Sequence, residues 1–228
     1  MSSVAIVTGY SSGLGYALSE ELLERGWSVV GVSRGSRAEA LHETYGDRLV
    51  QVTGSVASDE TVAAAFDAAR HLGDIKLVVN CAGLGCFGEI GSYSAADVMQ
   101  AVEANLAGLI LFSDKAAGLM VKTGGDIVNV MSTAAKQLKV AEPVYCAVKW
   151  GAKAYTRTLR DALKAKKAPV RVFEIYPCGM KTAFWDVAIR PGTDGQSFPE
   201  PGPIAKTVVD AISSDDGSYQ LEMTFERG

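Results

Sequence analysis

Cysteine and histidine are scarce in this chain of 228 residues, which contains four of the first and two of the second. The cysteines have neither the CxxC spacing of zinc sites nor the density of a disulfide scaffold. The histidines, His42 and His71, lie far apart, and a metal site needs more ligands that converge. We therefore expect no bound metal, surface histidines and reduced thiols at Cys81, Cys86, Cys146 and Cys178.

The chain also lacks an excess of charge of one sign. Its net charge is -4, from 22 Lys and Arg against 26 Asp and Glu, and this balance provides no basic field for nucleic acid or an anionic membrane. The first three residues lead into an apolar segment without a basic signal region, and no apolar run approaches the length that spans a bilayer. We therefore expect no nucleic-acid or membrane partner and a cytoplasmic location.

What the chain does contain is an alternation of short β-branched runs with amphipathic segments, in an ordinary globular composition of 48% hydrophobic and 21% charged residues. The runs predict seven strands, at 4–8, 28–32, 49–53, 77–79, 126–131, 170–175 and 219–225. The amphipathic segments predict helices at 14–25, 38–45, 59–72, 95–121, 144–167 and 204–213. Parallel strands need helical crossovers, so the pattern predicts one α/β domain over residues 1–228, a doubly wound parallel sheet with helices on both faces. A Pro- and Gly-rich stretch predicts a substrate loop at about 178–203.

A glycine-rich turn connects the first predicted strand to the first helix. Gly9 suits a tight turn, Gly13 lets the backbone approach a phosphate, and Gly15 lets the helix pack on the strand. The helix N-terminus adds free amides and partial positive charge. A glycine-rich loop alone is weak evidence, but its place in a strand-turn-helix unit favours a dinucleotide site.

A second candidate segment, Asn80-Cys81-Ala82-Gly83, follows the fourth predicted strand. Ligands of parallel sheets bind at the carboxyl ends of the strands, which favours a place near the cofactor. An ordinary turn explains this tetrapeptide equally well.

Tyr145 and Lys149 are four residues apart at the start of a predicted helix, so they share one face. A cation about 4 Å from the phenol, at an effective dielectric constant of about 20, contributes roughly 4 kcal/mol and lowers the phenol pKa by about three units. Tyr145 is then expected to exchange a proton near neutrality. Tyr and Lys at this spacing occur in many helices, and alone the pair is weak evidence.

Two further polar residues have unusual positions. Ser132 follows the fifth predicted strand, where site residues collect, and Asn105 interrupts an apolar helix, where an amide is unfavourable without a partner. Taken singly, each residue is more often structural than functional.

Taken together, the motifs Thr8-Gly9-x-x-x-Gly13-x-Gly15, Asn80-x-Ala82-Gly83, Asn105, Ser132 and Tyr145-x-x-x-Lys149 resemble those of the short-chain dehydrogenase/reductase family. The resemblance covers nearly the whole chain. It implies a Rossmann fold, a nicotinamide cofactor, and hydride transfer between a carbonyl and an alcohol with Tyr145 as general acid and base.

The resemblance also implies roles for the other three residues. Ser132 would bond the carbonyl oxygen, Lys149 would hold the cofactor ribose and lower the pKa of Tyr145, and Asn105 would support a water that links Lys149 to solvent. The implied cofactor contacts are Gly9, Ser11, Ser12, Gly13, Leu14, Gly15, Ser33, Arg34, Ser55, Val56, Asn80, Ala82, Gly83, Tyr145, Lys149, Pro177, Gly179, Met180 and Thr182. The chain departs from the family pattern at Ser55, where an Asp is usual, at Cys81, where a second Asn is usual, and at Cys178, which is inserted into a Pro-Gly pair.

The end of the second predicted strand favours NADP(H) over NAD(H). An acidic residue here would bind both ribose hydroxyls and repel a 2'-phosphate, but Ser33 carries no charge. Arg34 follows, and its guanidinium suits a phosphate, with Arg37 as a second, more exposed charge. The alternative is that both arginines are solvated loop charges.

The substrate and the reaction subclass stay open. A non-catalytic dinucleotide sensor or scaffold and a 3-hydroxy-acid dehydrogenase are alternatives to a reductase of ketones, aldehydes or 3-oxoacyl compounds. We expect apolar pocket walls from Ala134, Leu138, Val140, Phe184, Trp185 and Val187. Lys136, Lys139 and Lys181 are either anchors for an acidic group or a solvated rim. Small residues on the helices at 95–121 and 144–167 favour a homodimer or homotetramer through these two helices.

Overall fold

A computed structural model describes residues 3–35, 38–189, 194–214 and 220–226. The strands are β1 (Ser3–Thr8), β2 (Ser28–Ser33), β3 (Leu49–Thr53), β4 (Asp74–Asn80), β5 (Gly125–Val130), β6 (Val170–Tyr176) and β7 (Glu222–Thr224). The helices are α1 (Gly13–Glu24), α2 (Glu39–Tyr45), α3 (Asp59–Leu72), α4 (Ala95–Val102), α5 (Gly108–Met120), α6 (Pro143–Ala165) and α7 (Gly202–Ile212). Short 3-10 turns occupy Gly46–Arg48 and Thr133–Ala135, and a π-helical turn occupies Glu103–Ala107.

The seven strands form one parallel sheet in the order β3-β2-β1-β4-β5-β6-β7, which confirms the predicted doubly wound fold. The central strands are apolar on both faces because helices cover both. Ile6, for example, pairs with Val30 and Val78. On one face Leu18 of α1 and Val208 of α7 join the core, and on the other Phe66 of α3 and Phe112 of α5 do so.

The strand order reverses between β1 and β4, and this reversal decides where a site can lie. At such a switch point the connections leave the carboxyl edge in opposite directions and open a crevice. The glycine turn, the Asn80–Gly83 segment and Ser132 lie at or directly after strand ends on this edge, and Tyr145 and Lys149 lie on the helix that follows β5.

The helix predicted at 95–121 is confirmed as one helical segment, Ala95–Met120, but it is not a regular α-helix throughout. The chain stays helical from α4 into α5, but the Glu103–Ala107 segment between them is a π-turn. Within this turn the Asn105 Nδ2 atom donates to the Ala101 carbonyl at 3.0 Å. The side chain therefore competes with the backbone for an acceptor, as polar residues inside helices do.

The same helix bears on the membrane prediction. Among the residues that the structure describes, Ala95–Met120 alone is long and apolar enough to cross a membrane by length and composition, with a mean hydropathy of 1.3. The expectation that no apolar segment reaches this length was therefore wrong. Core helices of globular proteins pass the same test, and Phe112, Ala116 and Met120 of this helix are buried against the sheet.

The remaining differences from prediction concern boundaries. Helix α6 begins at Pro143, one residue before the predicted start, because proline fits the first helical turn. Strand β7 spans Glu222–Thr224 rather than 219–225. Residue 219 of the predicted seventh strand lies outside the described residues. Residues 190–193 of the predicted substrate loop and Arg37 lie outside them too.

Candidate active site

The glycine turn after β1 is tied to the end of β4 by one threonine side chain. Thr8 Oγ1 accepts hydrogen bonds from the amides of Cys81 and Ala82, both at 3.1 Å. Gly9 has a φ of +71°, and a Cβ there would lie 2.8 Å from the Ala82 Cα. Only glycine fits this position, because any side chain would push the two strand ends apart.

The other two glycines open the N-terminus of α1. A Cβ on Gly15 would lie 2.2 Å from the Gly9 carbonyl oxygen, and one on Gly13 would lie 3.0 Å from the Thr182 Cγ2. Ser12, at the N-cap, makes no side-chain capping bond, so it does not occupy the first amides of the helix. A cradle of bare backbone at a helix N-terminus fits the pyrophosphate of a dinucleotide.

The adenosine end of the crevice lies beyond β2 and β3. Its described lining consists of Val32, Ser33, Arg34, Gly54, Ser55 and Val56, none of which is acidic. Ser33 is buried and donates to the Gly35 carbonyl at 2.5 Å, whereas the Arg34 side chain is exposed. A neutral strand end followed by an exposed guanidinium fits a 2'-phosphate.

One continuous cleft collects nearly all the predicted site residues. Those that line it are Gly9, Ser11, Ser12, Gly13, Leu14, Gly15, Ser33, Arg34, Ser55, Val56, Ala82, Gly83, Ser132, Tyr145, Lys149, Pro177, Gly179, Met180 and Thr182. Asn80 and Asn105 do not line it.

The Asn80 side chain points into the protein interior, and the contact of Asn80 with the cofactor stays a prediction. Asn80 Nδ2 donates to Ser113 Oγ at 2.9 Å and to Asn129 Oδ1 at 2.8 Å. Asn129 Nδ2 in turn donates to Thr156 Oγ1 at 2.9 Å. This buried network joins β4 and β5 to α5 and α6 below the cleft. Asn80 therefore stabilises the carboxyl end of β4 through side-chain hydrogen bonds.

Three predicted catalytic residues meet at the centre of the cleft. Ser132 follows β5 and caps the Thr133–Ala135 turn, while Tyr145 and Lys149 lie on the first two turns of α6. The Ser132 side chain lies close enough to the Tyr145 hydroxyl to oppose the rise of its pKa. Lys149 is 3% exposed, its Nζ donates to the Val130 carbonyl at 3.3 Å, and it lies 5.6 Å from the centre of the Tyr145 ring.

The expected pKa of Tyr145 is wrong. Burial raises the pKa of Tyr145 well above its usual range, with a smaller lowering from the Ser132 hydrogen bond and a further rise from the Glu142 carboxylate. Burial also lowers the pKa of Lys149 to about 8. The physical reason is that desolvation opposes the charged forms of both groups, the phenolate of Tyr145 and the ammonium of Lys149.

Asn105 lies behind this centre rather than in it. Its Oδ1 atom accepts from the Leu84 amide at 3.2 Å, and its Nδ2 donates to the Leu84 carbonyl at 2.8 Å. A Cβ on Gly83 would lie 3.0 Å from Asn105 Oδ1 and 3.6 Å from Lys149 Nζ, so Gly83 separates the two side chains. The water relay implied for Asn105 stays a prediction.

Aromatic rings close the substrate end of the cleft. The Phe87 ring lies 6.0 Å from that of Tyr145 and stacks on Trp185 at 5.8 Å, and Phe184 lies 5.9 Å from Tyr145. The Phe87 and Ile189 segments are paired, because the Phe87 amide donates to the Ile189 carbonyl at 3.1 Å.

The predicted walls are partly wrong. Phe184, Trp185 and Val187 line the cleft, but Ala134 is fully buried, and Leu138 and Val140 are 81% and 96% exposed because they lie on the loop before α6.

Of the three lysines, only Lys139 lines the cleft, where its Nζ lies 3.7 Å from Glu142. Lys181 is bound to Glu200 at 2.9 Å and Lys136 to Glu222 at 2.5 Å. Neither of these two lysines lines the cleft.

Sequence reasoning missed several lining residues, among them Phe87, Gln100, Glu103 and Glu142. Phe87 follows the Asn80–Gly83 segment closely, and a large ring among glycines is a usable signal. Gln100 and Glu103 are one helical turn apart on α4 and the π-turn, and nothing local in the sequence distinguishes them. The described residues contain no cluster of metal-binding side chains.

A parallel sheet whose glycine turn, neutral strand end and Tyr-Lys pair share one cleft defines an oxidoreductase of the dinucleotide-binding Rossmann class. A family model described as short chain dehydrogenase matches residues 3–190. The chain therefore belongs to the short-chain dehydrogenase family.

Known proteins agree with this assignment at low identity. An uncharacterized oxidoreductase of Schizosaccharomyces pombe is 28% identical over 183 residues, which are 79% of this chain and 61% of the relative, so the chain spans less than two thirds of that protein. Carbonyl reductase family member 4 of Danio rerio is 28% identical over 240 residues, 98% of this chain and 100% of the relative. The crystal structure of a short-chain dehydrogenase/reductase from Vibrio parahaemolyticus matches with a TM-score of 0.85 and 27% identity, over 98% of this chain and 96% of that one.

Proposed function

We propose that this chain is an NADP(H)-dependent reductase that interconverts a carbonyl compound and its alcohol, with Tyr145 as the acid and base. The observation that carries the proposal is the meeting of Ser132, Tyr145 and Lys149 in the cleft that the glycine turn opens. A structural role alone does not explain why Lys149 is buried in this cleft, because burying an ammonium group is costly.

Each side chain has a distinct part in this proposal. When bound, the nicotinamide cofactor supplies or accepts the hydride. The Tyr145 hydroxyl donates the proton to the carbonyl oxygen, and Ser132 donates a second hydrogen bond to the same oxygen. Because burial raises the pKa of Tyr145, the phenol keeps its proton at neutral pH and has it available for the carbonyl oxygen.

Lys149 contributes charge and position. Its ammonium is held by the Val130 carbonyl next to Gly83, on the side of the cleft where the cofactor ribose would lie. Burial lowers its pKa only to about 8, so the side chain is still largely charged at neutral pH. Asn105 would then hold the π-turn and Leu84 in place beside it.

The substrate end favours a neutral carbonyl compound with apolar substituents. Three aromatic rings surround the substrate end. The one described lysine there, Lys139, forms an ion pair with Glu142, which offsets its charge. The relative from Danio rerio is named as a carbonyl reductase, which agrees with this class. We also propose a cytoplasmic location, because all four cysteines are free thiols.

An assay of NADPH oxidation with ketones and aldehydes tests the proposal. Tyr145→Phe should lower kcat at least about 100-fold, the usual range for a lost general acid, and leave NADPH affinity within about twofold. The matched control is Tyr155→Phe, because Tyr155 lies on the same helix and bonds the Ile110 carbonyl at 3.3 Å outside the cleft. Cofactor binding without turnover of any substrate would instead favour a sensor.

A further inference from the structure

A salt bridge fixes the far end of the turn that carries Ser132. The turn runs over Thr133–Ala135, with Ser132 before it and Lys136 after it. Lys136 Nζ donates to Glu222 Oε1 and to Thr224 Oγ1, both at 2.5 Å, and lies 4.4 Å from the centre of the Tyr176 ring. The turn is thus bound to β7, the last described strand.

Glu222 is itself held in place from α6. Arg157 Nη2 donates to Glu222 Oε2 at 2.9 Å, and Arg157 Nε donates to the fully buried Glu174 at 3.2 Å. Arg160 pairs with Glu174 at 2.9 Å, and the Tyr176 hydroxyl donates to the same carboxylate. Glu174, a buried carboxylate with three donors, is a rigid anchor for Arg157. Arg157 in turn holds Glu222, so Glu222 offers Lys136 a fixed partner.

The turn transmits this constraint to Ser132. Ser132 Oγ accepts from the Ala134 amide at 3.2 Å, and Lys153 Nζ donates to the Ala135 carbonyl at 3.0 Å. A shift of Lys136 would move this turn and with it the Ala134 amide that binds the Ser132 hydroxyl.

We propose that Lys136 and Glu222 are positioning residues for Ser132, which couple the C-terminal strand to the catalytic centre. The inference rests on the proposed function of Ser132. Neither residue lines the cleft, so neither touches substrate or cofactor.

Rate rather than stability should report this role. Lys136 and Glu222 have side-chain exposures of 28% and 39%, and partly exposed ion pairs stabilise proteins little. Catalytic geometry tolerates much less displacement, because small misplacements of a positioned group reduce the rate strongly.

The first test is Lys136→Met in the full chain. We expect kcat to fall about tenfold while the KM for NADPH stays within about twofold, because the cofactor cradle is untouched. Lys136→Arg keeps the charge and both donors and should restore most of kcat. Lys206→Met is the control, since Lys206 forms an exposed pair with Asp210 at 3.2 Å on α7.

The second test is a double-mutant cycle on kcat with Lys136→Met and Glu222→Gln. If the two residues act through one contact, the double variant loses no more than the larger single loss. Hydrogen exchange of the amides at 133–136 should also speed up in Lys136→Met, a readout independent of activity. Additive losses, or unchanged kcat with only a lower melting temperature, would overturn the inference, whereas a wild-type chain without turnover would refute the proposed function instead.

Discussion

Asn105 and Leu84 exchange two hydrogen bonds, one in each direction. The amide group of the Asn105 side chain thus pairs with the Leu84 backbone as a neighbouring β-strand would. Asn105→Ala would leave the buried amide and carbonyl of Leu84 without these partners. We expect the free energy of unfolding to fall by about 3 kcal/mol, the order of two unsatisfied buried groups. Chemical denaturation measures this. Gln51→Ala, which loses only exposed amide bonds, should cost less than about 1 kcal/mol; equal losses would contradict the interpretation.

Arg34 should decide between the two nicotinamide cofactors. Arg34→Ala removes the exposed guanidinium at the end of β2, and one charged hydrogen-bonded contact corresponds to roughly ten- to hundred-fold in affinity. We expect that loss for NADPH and a change within about twofold for NADH, by titration of each cofactor. The control is Arg70→Ala, since Arg70 pairs with Asp67 on the distant α3. Equal weakening of both cofactors would refute NADP selectivity.

Burial of Lys149 makes stability depend on pH in a defined window. The pKa is about 8 in the folded chain against 10.5 for an ordinary lysine. Between these values the unfolded state binds more protons, so stability rises with pH. Relative to Lys149→Met, the wild type should gain about 3 kcal/mol between pH 8 and pH 10.5 and nothing below pH 8. Denaturation at several pH values checks this, and a constant difference would show that burial does not perturb Lys149.

The helices α4 to α6 should form an interface between copies of the chain. Met99, Leu119 and Trp150 are 54%, 37% and 40% exposed on these helices. Light scattering should give at least twice the chain mass of 24.0 kDa. Ala147→Glu, on the exposed side of α6, should yield monomers, whereas the control Ala40→Glu on α2 should not. A monomeric wild type at micromolar concentration would contradict the prediction.

The features that could be predicted from the sequence are those that depend on a local pattern of residues. Strand alternation predicted the sheet, and the glycine turn and the Tyr145–Lys149 spacing predicted most of the cleft. The features it missed depend on contacts distant in the chain. The π-turn follows from Asn105 meeting Leu84, and Lys136 meets Glu222 across 86 residues. The raised pKa of Tyr145 follows from burial by loops whose conformation no local pattern encodes.

The connection between β6 and α7 makes packing contacts within itself as well as with Phe87. Trp185 and Phe198 pack edge to face at 5.2 Å, and Trp185 Nε1 donates to the Met180 carbonyl at 2.7 Å. Contacts that a segment makes with itself travel with it when it is moved to another scaffold. The part of the connection that follows Thr182 is therefore a natural unit for exchange between relatives, by which substrate range can be re-engineered while the sheet and the cofactor contacts up to Thr182 are kept.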